Sequence, residues 1–293
     1  TRASGRQRPP VGGHAVAGRG GAGRDAAMKL APEKLEAALE ALAGEEGQSY
    51  TELNLNGIRL GEQGAEKLAS ALASATSLTK LTLTANKLSN NDAVWIATAV
   101  QRHALLTHLD LSCNQVWEAG SLKLRGLLET NTVLTTLKLD SNRLGPQGSG
   151  FLAAGLAVNS SLRWLGLAYN EVGDEGARHL AAALEKNTAL RTLNLQCNDI
   201  KAAGALCIAG ALAKNSSLSE LELTANEFGD EGAEALAEAM KENFALTKLD
   251  MFGCEADREI EKRIQAALER NVTTMASPMD WLTGKIPCCV ARQ

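Results

Sequence analysis

The residues best suited to metal or nucleophilic chemistry in this chain are six cysteines and four histidines, and their spacing organises neither kind of site. The cysteines are Cys113, Cys197, Cys207, Cys254, Cys288 and Cys289, with no C-x-x-C pair to grip a zinc ion. The histidines are His14, His103, His108 and His179, with no H-E-x-x-H to set two imidazoles on one helical face. No G-x-x-x-x-G-K-[ST] loop is present to cradle phosphates, and no G-x-S-x-G elbow to present a serine. His108 and Asp110 stand two apart; without a nucleophile beside them they read as a solvated surface pair, not an acid–base dyad. The expectation is a chain that is not an enzyme and binds no cofactor or metal.

What would position any functional group is a repeat. The stretch 162–189, LRWLGLAYNEVGDEGARHLAAALEKNTA, is one of eight copies running from Tyr50 to Thr273 without insertion or deletion. Its second Leu recurs every 28 residues, from Leu53 through Leu165 to Leu249. One such unit cannot bury its apolar face alone, so a fixed period of this length predicts a solenoid. Leu165 and Leu167 alternate as on one face of a strand. Ala177, Leu180, Ala181 and Leu184 fall at i, i+3, i+4, i+7, one face of a helix. Asp174 and Glu175 open that helix, where carboxylates suit the positive end of its dipole.

An Asn follows the strand in six copies: Asn86, Asn114, Asn142, Asn170, Asn198 and Asn226. A polar residue fixed in an apolar frame is expected to serve backbone groups where the chain turns, forming a ladder through the stack. Asn187 near the helix end suits a helix stop. Asn159, in the same place one copy earlier, reads as peripheral, so Asn170→Ala is expected to destabilise more than Asn159→Ala.

The pattern L-x-x-L-x-L-x-x-N-x-[VIL], with its Ala-rich helix and 28-residue period, resembles the leucine-rich repeat of the ribonuclease-inhibitor type. That repeat also occurs in NOD-like receptors and Ran GTPase-activating proteins. The resemblance covers residues 50–273 and implies an α/β horseshoe, with a parallel sheet on the concave side and helices on the convex side. Departures fall toward the ends, where Ile58 and Cys254 replace the ladder Asn, and Asp92 and Ile260 replace the Gly before the helix. The function implied is a scaffold that binds a protein partner on its concave face. A Ran-type GTPase-activating protein is the alternative; it rests on the shared repeat alone, and the long acidic tail typical of that family is missing here.

The flanks differ in composition. Residues 1–27 carry five Arg against one Asp among many Gly, and read as a disordered basic arm or translated upstream sequence, with organelle targeting as the rival. Residues 28–49 read as an N-terminal cap, with a helix over 32–43 whose stripe is Leu35, Leu39 and Leu42. Residues 274–293 are a tail in which Pro278, Met279, Trp281 and Leu282 could fold over the end of the stack or act as a short linear motif. Cys288-Cys289 does not form a prenylation box, because Val290 stands fourth from the end. No run of about 18 apolar residues marks a membrane span. Four cysteines sit in the repeats where other copies hold small residues, which fits reduced thiols and a cytoplasmic protein.

Strand residues between the core leucines define the concave face. At its centre Trp164 and Tyr169 stand beside small Gly166 and Ala168, with Lys138 and Asp140 on one side and Asn194 and Gln196 on the other. An aromatic centre in a polar rim is the usual form of a binding hot spot. Toward the C-terminal end Glu220 and Glu222 give an acidic excess. A nucleic-acid groove would need a basic stripe with stacking aromatics, which this face lacks. The partner expected is a protein, bound by a chain that is monomeric by itself.

Overall fold

The computed structural model describes residues 27–29, 35–44 and 48–276. Residues 1–26, the first turn expected for the 32–43 helix, the tail from 277 onward and Cys288-Cys289 lie outside them.

Among the described residues, nine three-residue strands form one parallel sheet in chain order: β1 Ala27–Lys29, β2 Glu52–Asn54, β3 Lys80–Thr82, β4 His108–Asp110, β5 Thr136–Lys138, β6 Trp164–Gly166, β7 Thr192–Asn194, β8 Glu220–Glu222 and β9 Lys248–Asp250. From β2 onward every partner is 28 residues away, so Leu53, Leu81, Leu109 and their successors lie in one row. β1 adds a strand ahead of the first repeat; it begins at Ala27, where the sequence places the end of the basic arm.

The helices are α1 Leu35–Ala43, α2 Gly61–Leu72, α3 Asn90–Gln101, α4 Glu118–Thr130, α5 Gly145–Leu156, α6 Gly173–Leu184, α7 Ala202–Leu212, α8 Gly229–Glu242 and α9 Arg258–Ala276. Each of α2 to α8 links two successive strands and packs on the helix before it. Strands sit about 4.8 Å apart, whereas packed helices need about 8–10 Å, so the stack curves with the sheet inside. The chain is an α/β leucine-rich repeat solenoid.

The core lies between the layers. Leu162, Leu165 and Leu167 are fully buried, as are Ala177 and Leu180 on the facing helix. Ser121 and Ser149 replace the helical Ala in two copies, and each hydroxyl donates to the carbonyl four residues earlier, to Trp117 at 2.9 Å and Gly145 at 2.8 Å. Asp92 stands where other copies hold Gly because it completes a capping box with Ser89: Ser89 N–H donates to its Oδ2 at 2.8 Å.

Two asparagine ladders run through the stack. In the expected one, Asn170 Nδ2 donates to the Leu139 carbonyl at 2.9 Å, while its Oδ1 accepts from Asn142 N–H at 3.1 Å and Leu144 N–H at 3.3 Å. Cys254 continues the series, its thiol donating to the Leu223 carbonyl at 3.1 Å, and burial pushes that thiol's pKa up to about 11.

The second ladder corrects the sequence reading of Asn159. This residue is 7% exposed, not peripheral. Its Nδ2 donates to the carbonyls of Leu128 and Asn131, and its Oδ1 accepts from the N–H groups of Ser161 and Leu162. Asn131, Asn187, Asn215, Asn243 and Asn271 are buried in the same register. The helix ends here inside the protein, so its last carbonyls need partners as much as the strand ends do.

His103 fills this register in the third helix's repeat. Leu105 and Leu106 N–H both approach its Nδ1, at 3.3 and 3.1 Å, and its Nε2 lies 2.9 Å from the Ala75 carbonyl. Two donors facing Nδ1 make it the acceptor, so the proton sits on Nε2 and the ring serves as an asparagine amide would.

Candidate binding surface on the concave sheet

The concave face is paved by alternate residues of β2 to β9, because the period of two sends their neighbours into the core. Trp164, on central β6, is half-buried. Its ring reaches along its own strand to Gly166: a Cβ added there would sit 2.6 Å from ring atoms Cη2 and Cζ3. The missing side chain of Gly166 is the space the indole occupies. Lys138 on β5 completes the arrangement, its Nζ 4.9 Å from the indole centroid, within cation–π range.

Asp140 borders the same space, its Oδ2 2.8 Å from that hypothetical Cβ. Its Oδ1 accepts from Ala168 N–H at 2.9 Å and its Oδ2 from Ser112 Oγ at 3.4 Å, so one carboxylate ties the ends of three strands. Burial holds its pKa above the usual carboxylate value despite the Ala168 N–H, which works the other way.

Tyr169 has partners of its own. Tyr169 lies past the strand in the left-handed region, φ +56°, with 54% of its surface exposed. Its N–H donates to the Gln196 carbonyl at 2.9 Å, and its phenol pairs with Cys197 and Gln196, the thiol holding its pKa above the ordinary value. Asn194 Oδ1 accepts from Gln196 N–H at 2.9 Å, a turn within its own strand end. Thus Trp164, Lys138 and Asp140 form one group and Tyr169, Gln196 and Cys197 another.

The acidic end is less acidic than the sequence implies. Lys248 on β9 reaches Glu222 at 3.1 Å and Glu220 at 4.0 Å, partly neutralising both, and Glu222 foremost raises its pKa. Their pairing follows from the adjacency of β8 and β9. Farther along, Phe252 is 82% exposed beside Leu249 and Met251, and borders an open groove of about 500 Å³ with Ile264 and Leu268 on α9. This terminal apolar surface was legible only as one more strand-end residue.

His108 and Asp110 share no hydrogen bond among the described residues. Asp110 Oδ1 instead accepts from Ser112 N–H at 2.9 Å, and burial, then Lys138 and Lys80, lowers the pKa of His108. Among the described residues no group of three His, Cys, Asp or Glu side chains is placed to hold a metal ion. None of the described helices is long and apolar enough to cross a membrane.

The part of this surface from β6 to β9 falls in a region that matches a known family. The TMOD/LMOD leucine-rich domain model matches residues 150–274, from within α5 through β6 into α9, and a general leucine-rich repeat model matches 103–116 and 130–153. The chain is similar to a leiomodin-1 structure titled actin-binding site 2, at 22% identity over 54% of this chain and 91% of that one, with TM-score 0.48. It is also similar to the C-terminal domain of Caenorhabditis elegans tropomodulin, at 19% identity over 53% and 95%, with TM-score 0.49. No curated protein matches.

Proposed function

We propose that this chain is a non-catalytic scaffold of the ribonuclease-inhibitor repeat type, binding a protein partner on the concave face around β6. The observation behind this reading is the indole of Trp164, seated in the space at Gly166 beside Lys138 and Asp140. A rigid aromatic at the centre of a polar surface is a typical anchor, and its orientation is set before any partner arrives. The match of residues 150–274 to a leucine-rich domain family supports the same region. Free thiols at Cys113, Cys197, Cys207 and Cys254 fit a reducing compartment such as the cytoplasm. Glu52, Asp110, Asp140, Glu220, Glu222 and Asp250 outnumber Lys80, Lys138 and Lys248 on the concave strands, which favours a protein over a nucleic acid.

The test begins with affinity capture and mass spectrometry using the full chain, followed by titration of the captured partner. Trp164→Ala should weaken binding by about 30-fold, the cost of losing about 2 kcal/mol at a hot spot. Arg178→Ala, on the exposed face of α6, should leave it unchanged. Equal affinity for the Trp164 variant and the parent chain, with both folded by circular dichroism, would refute the assignment.

A further inference from the structure

One rim of the solenoid is formed where strands give way to helices, and the residue after each ladder position lines it. In the first four repeats these are Arg59, Lys87, Gln115 and Arg143. In the last four they are Glu171, Asp199, Glu227 and Glu255. All eight are exposed, and among the described residues none of these charges takes part in an ion pair, although ion pairs occur elsewhere on the helices and sheet. Six of the eight share one left-handed backbone conformation, φ 56° to 58°, so their side chains leave the rim in the same way. The loops lie side by side: Arg59 N–H donates to Asn86 Oδ1 at 2.9 Å, and Tyr169 N–H to the Gln196 carbonyl at 2.9 Å.

The row is positive in one half, negative in the other, and reverses sign about its own midpoint. A two-fold axis lying in the plane of the rim and bisecting the arc turns the solenoid over. It lays the arc on an identical arc with the repeats in reverse order. Arg143 then faces Glu171, Lys87 faces Glu227 and Arg59 faces Glu255, each twice, since an isologous contact counts every pair from both sides. Two residues further into each loop, Gly145 meets Gly173 at the axis, so no side chain holds the rims apart there. In the same register Trp117, 49% exposed, faces Lys201, an indole set against an ammonium group. A partner of unrelated sequence would have to reproduce this reversal; a second copy of the chain has it already.

We propose that two copies associate rim to rim, with their repeats antiparallel, into a symmetric dimer held by charge. This departs from the monomer expected from sequence and leaves both concave faces open. The contacts are exposed ion pairs, individually weak and screened by salt, so the dimer dissociates as ionic strength rises.

Sedimentation velocity of the full chain should show a dimer at about 10 mM salt, where charges act over about 30 Å, and a monomer at about 1 M, where they act over about 3 Å. Two charge-reversed variants test whether the rims themselves carry the contact. One carries Arg59→Glu, Lys87→Glu and Arg143→Glu; the other carries Glu171→Arg, Glu227→Lys and Glu255→Arg. Each alone should be monomeric at low salt while keeping its circular dichroism spectrum, and an equimolar mixture should restore a discrete 1:1 dimer. A parent chain that is monomeric at low salt would overturn the proposal. So would a dimer indifferent to the reversals, or a mixture that stays monomeric or forms open-ended aggregates.

Discussion

The side-chain amide of Asn187 donates to the backbone carbonyl of Asn159 at 2.8 Å. Asn159 does the same to Asn131 at 3.2 Å, so the helix-end ladder is as continuous as the strand-end one. Asn159→Ala and Asn170→Ala should therefore destabilise by similar amounts, about 1–3 kcal/mol each, because each leaves buried backbone groups unpaired. Urea midpoints of the two variants should coincide within error. A much smaller shift for Asn159→Ala would mean water satisfies the helix ends.

His103 makes the same prediction in chemical form. An asparagine at this place would present an acceptor to Leu105 and Leu106 N–H and a donor to the Ala75 carbonyl, as the ring now does. His103→Asn should shift the urea midpoint less than His103→Ala, which should cost about 1–3 kcal/mol. Equal losses for both would show that the ring contributes packing, not hydrogen bonds.

Asp174 acts one repeat beyond its own helix. Its Oδ1 accepts from Lys201 N–H and Gly204 N–H, both at 2.8 Å, and so caps α7. Asn90 caps α4 through Trp117 and Gly120 in the same way. Gly204 is required there, since a Cβ would sit 2.6 Å from the capping oxygen. Asp174→Ala should cost about 1 kcal/mol, as loss of an N-cap does. Glu175→Ala, exposed on the first turn of α6, should stay within about 0.5 kcal/mol. Thermal melts of the pair would separate cap from dipole.

Asp140 should make stability depend on pH in a direction opposite to most carboxylates. Burial raises its folded pKa above the ordinary 3.8. Between the unfolded and folded values the folded chain binds more protons, so stability falls as pH rises through that window. The cost is complete above the folded pKa and absent below the unfolded one. Asp140→Asn keeps the acceptor for Ala168 N–H, much as Asn56 Oδ1 accepts Thr84 N–H at 2.8 Å. The variant should melt at or above the parent at pH 7, and its advantage should shrink toward pH 4. A melting temperature clearly below the parent at pH 7 would mean that the ionised carboxylate is favoured in the fold.

Much of this protein is determined by its sequence alone. Alternation at Leu165 and Leu167 and the i, i+3, i+4, i+7 run from Ala177 are local patterns; the Leu180 and Leu184 positions stay apolar in all eight copies. Such patterns specify strand, helix and the face each buries, and a constant 28-residue step leaves only a stack. The strand-end Asn was legible too, because it interrupts an apolar run where the chain must turn. Tertiary structure decided what depends on a neighbour one repeat away. Asn159 looked peripheral because a helix end is ordinarily solvated, and only stacking closes it off. Asp174 lies 27 residues from Lys201, whose N–H it accepts, a relation that exists once α6 and α7 pack. Trp164 could have stood away from its strand; the space at Gly166 and the ammonium of Lys138 decide where its ring sits. Each outcome turns on side-chain rotamers and contacts across the stack, for which a repeat pattern supplies the positions and not the geometry.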